Sequence, residues 1–255
     1  MLFAGAFTLI LSAMPAAAHY ASVTASDYAP APGDTITVFI GWGHKFPGDG
    51  EMRHAAYDTT DLTLIGPDGE ERNIPITPKK ERGHEPIRVR LEKPGLHTFL
   101  LTQKKFSTKT AHGYKYQPRD ELDHVIHSRW SETVSKAVVN VGGEETETPV
   151  AETRDRFQIL ALANPLSVKK GETLPVKVIL DGKPWKGTVN ATYAGFSEEK
   201  DAFAFRAETD DAGICRVQIS EKGLWLVKAD HSYPYEDTKK ADEYSLKATL
   251  ACSIE

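Results

Sequence analysis

Apolar and polar positions alternate along most of this chain with a period of two. In DTITVFIGW the residues Ile36, Val38, Ile40 and Trp42 share one face, the pattern of a half-buried strand. DLTLIGPDGEERNIPI reads as a hairpin whose turn is PDGE, and GLHTFLLTQ and KAVVNVGG carry the alternation onward. The second half repeats the theme in RFQILAL, TLPVKVILDGKP, TVNATYAG, AFAFRAETDDAGICRVQIS, LWLVKADH and EYSLKATLACSI. Short alternating strands at this spacing, set apart by turn residues, predict an all-β chain made of antiparallel β-sandwiches.

Two segments depart from the pattern. RDELDHVIHSRWSETVSK places Leu122, Val125, Ile126, Trp130 and Val134 on one helical face, with Asp120 as N-cap, and predicts a short helix covering the first sandwich. Just upstream, QKKFSTKTAHGYKYQPRD is basic and aromatic and reads as a long loop. A break falls at GGEETETPVAETRD, residues 142–155, which is acidic, Thr-rich and free of aromatic residues, as a linker would be. The expected organisation is a signal peptide at 1–18, a sandwich domain at 19–145, a linker at 146–156 and a second sandwich domain at 157–255.

The opening MLFAGAFTLILSAMPAAA is an uncharged apolar run closed by small residues, with Ala16 and Ala18 at the A-x-A positions of a signal-peptidase site. Cleavage would fall before His19 and release the chain into the periplasm. The run is shorter than the roughly 20 apolar residues of a comfortable membrane span, and no later stretch approaches that length. No membrane insertion is therefore expected once it is removed. The run lacks the Lys or Arg that usually precedes the apolar core, which leaves the true start codon open. A net charge of −5 argues against nucleic acid or anionic lipid as a partner. Cys215 alternates with Val217 and Ile219, and Cys252 shares a face with Leu246, Ala248, Leu250 and Ile254. Both thiols thus point into one core, where a disulfide and two unpaired thiols fit the pattern equally.

Export changes what His19 can do. As a first residue it offers an imidazole and a free α-amine, which together close a chelate ring on one metal ion. Their reference pKa values, about 6.5 and about 7.7–8.0, make deprotonation cheap near neutral pH. Such nitrogens suit nickel, cobalt, copper and zinc. His44 follows a strand in the Gly- and Pro-rich loop GWGHKFPGDGEM, and the segment HYASVTASDYAP, run beside that strand, would bring His19 near it. His231 ends the strand of GLWLVKADHSYPYED on the face of Trp225, Val227 and Ala229, and also reads as a satisfied residue at the edge of the core. Binding groups collect in the loops at one end of a sandwich, so His19, His44 and His231 are the leading candidate ligands, with a site between the two domains. His54, near His44 in sequence, and His112, on the basic loop, are weaker candidates. His124 and His127 are spaced for a helical chelate, but the apolar stripe turns His124 to solvent; His84 and His97 show no partner. There is no G-x-S-x-G, no H-E-x-x-H and no phosphate-cradling glycine loop.

Taken together, GWGHKFPGDGE, SKAVVNVG, LPVKVILDGKPWKGTVNATYAGFSEEKDAFAF, GLWLVKADHSYPY and YSLKATL resemble a bacterial periplasmic family of unassigned domain type, described as the periplasmic component of a nickel or cobalt uptake system. The likeness covers nearly the whole chain after residue 18 and is strongest from residue 174 onward. It implies an exported two-domain β protein that binds a transition metal and hands it to a membrane metal permease or a porin-type receptor. The second half also resembles transthyretin-type, immunoglobulin-like modules, a scaffold pattern that needs no ligand. On the family's motifs His19, His44 and His231 carry over as ligands, and Asp49 as the acidic member of the PGDG turn.

The leading expectation is a non-enzymatic binding protein for nickel or cobalt, with copper and zinc also suited to the donors. One rival is a copper-dependent oxidative enzyme built on an N-terminal histidine brace. The other is a metal-free structural or interaction module. The sequence leaves the ion, its transporter and the oligomeric state open.

Overall fold

The computed structural model describes residues 19–143 and 152–254. The expected signal peptide, and residues 146–151 of the expected linker, lie outside the described residues. The first half carries β1 (Tyr20–Ala25), β2 (Thr35–Gly43), β3 (Thr60–Ile65), β4 (Glu71–Asn73), β5 (Ile87–Arg90), β6 (Gly95–Thr110), β7 (Gly113–Lys115) and β8 (Val125–Val141). The second half carries β9 (Phe157–Ala161), β10 (Thr173–Leu180), β11 (Lys183–Pro184), β12 (Thr188–Tyr193), β13 (Phe205–Glu208), β14 (Ile214–Gln218), β15 (Gly223–Pro234) and β16 (Glu243–Ile254). The all-β sandwich expected from the alternation is what forms.

The strands make three sheets. A nine-stranded sheet runs β13-β12-β15-β16-β8-β6-β3-β4, with β7 also paired to β6. Among the described strands every pairing is antiparallel except β16 on β8, which is parallel and joins the second half to the first. The sheet β1-β2-β5 and the sheet built on β10, with β9, β11 and β14, each cover part of the long one.

Alternation within the long sheet sends its side chains into two separate cores. Val138 of β8, Trp225, Val227 and Ala229 of β15, and Leu246, Ala248, Leu250 and Cys252 of β16 pack against Phe157, Ile159, Leu174 and Val176 of the β10 sheet. From the other face, Phe99 and Leu101 of β6, Ala137 and Val139 of β8, Leu226 and Ala251 pack against Val23, Ile36 and Val38 of the β1-β2-β5 sheet. Cys215 and Cys252 both lie buried in the first of these cores as free thiols.

Residues 120–136 do not form a helix. A short 3-10 turn, Arg119–Glu121, leads into β8, which pairs with β6 on one side and β16 on the other. The helical reading failed because Leu122, Ile126, Trp130 and Val134 are spaced by four, and four is a multiple of two. Within β8, Ile126, Trp130 and Val134 therefore fall on one strand face, while Leu122 lies before the strand. The β-branched residues Val125, Ile126, Thr133, Val134, Val138, Val139 and Val141 decide for the strand. Nor are residues 103–120 one long loop, because β6 continues to Thr110 and turns back into β7.

Candidate functional site

His19 immediately precedes β1, and β1 lies antiparallel on β2 with Tyr20 opposite Gly43. That register carries His19 to the end of β2, where His44 begins the next loop. The two imidazoles meet with ring centroids 4.3 Å apart, and His19 stacks on Trp42 at 5.5 Å. Glycine at position 43 makes the loop possible. Gly43 has φ +138°, and a Cβ there would sit 1.7 Å from the Asp49 carboxylate. Asp49 occupies that space to accept the His44 backbone N–H at 2.8 Å.

The second half reaches this corner through a residue the sequence did not single out. Asp201, in the loop between β12 and β13, lies 3.0 Å from His44 Nδ1, and its own backbone N–H donates to the His44 carbonyl. A carboxylate only accepts, so Nδ1 carries the proton and Nε2 of a neutral His44 keeps its lone pair. Lys45 reinforces the same junction through Glu198 at 3.0 Å. The acidic stretch SEEKD was visible in the sequence, but nothing in its spacing pointed to His44.

The surroundings favour the neutral imidazole at His19. Burial, then the neighbouring His44 and Lys247, lower its pKa, outweighing the opposite pull of Asp49. For Asp49, burial acts to raise the carboxyl. The backbone N–H groups of His44, Lys45 and Asp49 itself outweigh it, and the carboxylate ionises more readily than usual.

His231 does not join this pair. It follows Ala229 on the opposite face of the long sheet and packs beside Phe157, Trp185 and Tyr233, with centroids 6.2, 5.8 and 5.2 Å away. The expected three-histidine site is corrected on this point: the strand's alternation, which made His231 share a face with Trp225 and Val227, sends it into the other core. Burial and then Arg156 lower its pKa, as suits a ring packed among aromatics. His54 is exposed, with Nδ1 taken by the Lys79 carbonyl at 2.8 Å. His112 is at the β6–β7 turn, 5.9 Å from His124. Among the described residues no group of three His, Cys, Asp or Glu side chains could hold a metal ion. His19 and His44 thus bring two imidazoles together, and a third nitrogen at this corner would have to be an α-amine on a chain that starts at His19.

Behind His19 and Trp42 opens a cavity of about 390 Å³. Its floor is the polar end of the long sheet, with Lys105 of β6, Arg129 of β8 and Lys247 of β16 among its lining residues. Lys105 and Lys247 are only 6% and 7% exposed. Burial pulls the Lys105 amine down to about 7 and Lys247 to about 8. Lys105 Nζ stands 4.2 Å from the Tyr116 ring centroid and 5.5 Å from that of Trp42.

A family model described as a domain of unknown function (DUF4198) matches residues 16–233. No curated protein matches the chain. Among solved structures, the D0-D1 domain of intimin aligns over 92% of this chain and 100% of its own, at 14% identity and a TM-score of 0.25. The D00-D0 domain of intimin aligns over 92% and 99%, at 12% identity and a TM-score of 0.20. The native conformation of E. coli alpha-2-macroglobulin aligns over 94% of this chain and 22% of its own, at 10% identity and a TM-score of 0.22.

Proposed function

Because the chain belongs to the DUF4198 family, a domain of unknown function, we propose a role from its own site: an exported periplasmic protein that binds one transition-metal ion, nickel or cobalt, and supports its uptake by a membrane permease. The observation that carries this reading is the pairing of His19 with His44, 4.3 Å between centroids, with Asp201 on His44 Nδ1. A carboxylate behind an imidazole is the usual support of a metal-bound histidine, because it fixes the ring and strengthens the donor nitrogen. With the α-amine of a processed chain, His19 and His44 supply three nitrogens. Copper would bind such a set more tightly than nickel or cobalt, so selectivity rests on geometry and on which ion is supplied.

Titration calorimetry with nickel, cobalt, copper and zinc tests this on a chain that starts at His19. Saturable one-to-one binding at micromolar ion is expected, and weaker binding when a methionine precedes His19 and displaces the amine. Absence of binding for all four ions leaves the metal-free interaction module. Equal affinity with and without the extra methionine removes the amine from the scheme.

One observation favours a second reading. Two imidazoles meet here rather than three, and two histidines plus one terminal amine are the donors of a copper histidine brace. On that reading the protein is a copper-dependent oxidative enzyme. Oxidative cleavage of an insoluble glycan by the copper-loaded chain would establish it, and its absence with tight nickel binding would dismiss it.

A further inference from the structure

The cavity beside the histidine pair has a chemistry of its own. Its lining contains five basic side chains, Arg53, Arg82, Lys105, Arg129 and Lys247, against one carboxylate, Glu51. Lys105 is buried, yet among the described residues its Nζ has no hydrogen-bond partner, and neither does Arg129 Nε. Burying an amine without a partner costs stability, and a fold normally avoids it or fills the site with a hydrophobe. The rings of Trp42 and Tyr116 attract the ammonium but leave its N–H donors unused.

Three of the basic side chains rise from three adjacent strands of the same sheet. Lys105 lies opposite Ser131 on β8, and Lys247 lies opposite Thr133. The odd-numbered positions of β8, Arg129, Ser131 and Thr133, line the same cavity between them. The floor is thus a row of donors with hydroxyls interleaved, while Trp42, Met52, Tyr114 and Tyr116 give the remaining wall an apolar and aromatic character. A volume of about 390 Å³ is far more than one phosphate or a few waters need.

We propose that this cavity is a binding site for a small organic polycarboxylate, with its carboxylates on Lys105, Arg129 and Lys247 and its carbon skeleton against Trp42 and Tyr116. The site goes beyond the metal reading and does not depend on it, since its basic side chains stand in place whether or not the histidine pair takes an ion. The open side is set by the exposed Arg53, Arg82 and Tyr114, which would draw an anion inward.

The test is calorimetry on the full chain from His19, treated with EDTA and then freed of it, with tricarballylate, inorganic phosphate and the uncharged trimethyl ester of tricarballylate as probes. Tricarballylate should bind to one site, and neither the phosphate nor the ester should compete with it. Lys105→Met and Lys247→Met should each weaken binding at least about tenfold, as loss of a charge-assisted hydrogen bond does. Both replacements put a hydrophobe of similar length in a buried position, so circular dichroism and unfolding should show an intact fold. Nickel titration of the same variants reads the histidine pair separately: retained nickel binding with lost tricarballylate binding supports the proposal. Tricarballylate affinity unchanged in Lys105→Met, no heat with tricarballylate on folded protein, or phosphate binding in its place would each overturn it.

Discussion

The two faces of the long sheet bury their polar residues in opposite ways. On the face covered by the β10 sheet, the titratable groups His231 and Lys136 are packed or paired. His231 sits among Phe157, Trp185 and Tyr233, and Lys136, at an even position of β8, donates to Gln158 at 2.7 Å. On the other face, the β1-β2-β5 sheet covers Phe99, Leu101 and Val139 but stops short of the far ends of β6 and β8. There Lys105 and Arg129 face a cavity, and His19, in ring contact with His44, stands at its edge. Residues of the same types are structural on one face and available for chemistry on the other. What distinguishes them is whether a second sheet has closed over them.

If the faces are independent, damage to the closed one should cost stability and leave ligand affinity alone. Phe157 is 1% exposed and packs edge-on to Trp185 at 5.2 Å. Phe157→Ala should destabilise the protein by about 3–5 kcal/mol in urea unfolding, while nickel affinity of the folded variant stays within about twofold. A parallel loss of affinity would show that the histidine corner depends on the opposite core.

The histidines sharpen the comparison. His44→Ala should lower metal affinity more than about a hundredfold by calorimetry, since it removes a donor outright rather than its support. His231→Ala should leave metal affinity unchanged and instead lower the unfolding midpoint, because its ring fills space beside three aromatics. The reverse outcome would return His231 to the metal site.

Much of this was legible in the chain itself. Strands as regular as Ile36-Val38-Ile40-Trp42 announced themselves, and so did the β3–β4 hairpin around its PDGE turn. The His19–His44 meeting followed from reading the N-terminal segment as a neighbour of β2. Alternation failed where a strand buries polar residues. Gln103 and Lys105 point inward, so the far part of β6 looked like a basic loop. It misled again in β8, where a spacing of four serves helix and strand alike. Asp201 was out of reach for a different reason. Its contact with His44 spans 157 positions, and it depends on two loops from different halves meeting over a sheet that the parallel β8–β16 pair makes continuous.

Asp201→Asn keeps the size of the side chain and removes its charge. Metal affinity should drop by about 10- to 100-fold, the range found for supporting partners of ligating histidines. The His44 ring would lose the acceptor that fixes its tautomer, so the loss should be larger than for Glu198→Gln, which breaks only the exposed partner of Lys45. Equal effects would mean that Asp201 merely joins two loops.

The smallest expected effect concerns pH. Burial places the folded-state pKa of Lys105 near 7, about three units below an unfolded lysine. Between those values the unfolded chain holds a proton that the folded chain has released, so stability rises with pH, at up to about 1.4 kcal/mol per pH unit for one such group. The contribution starts near pH 7 and is complete only above the unfolded value. Lys136, with a pKa also near 7, and Lys247, near 8, add slopes of the same sign. The comparison of interest is therefore between the protein and Lys105→Met, measured by urea unfolding at pH 7.5 and pH 8.5. The variant should be more stable at pH 7.5 and gain about 1 kcal/mol less over that step. Lys136→Met, on the closed face, removes a hydrogen bond to Gln158 along with the charge, so its gain at pH 7.5 should be smaller than that of Lys105→Met. Identical gains would mean that the two lysines are equally satisfied, and that the open face is no different from the closed one.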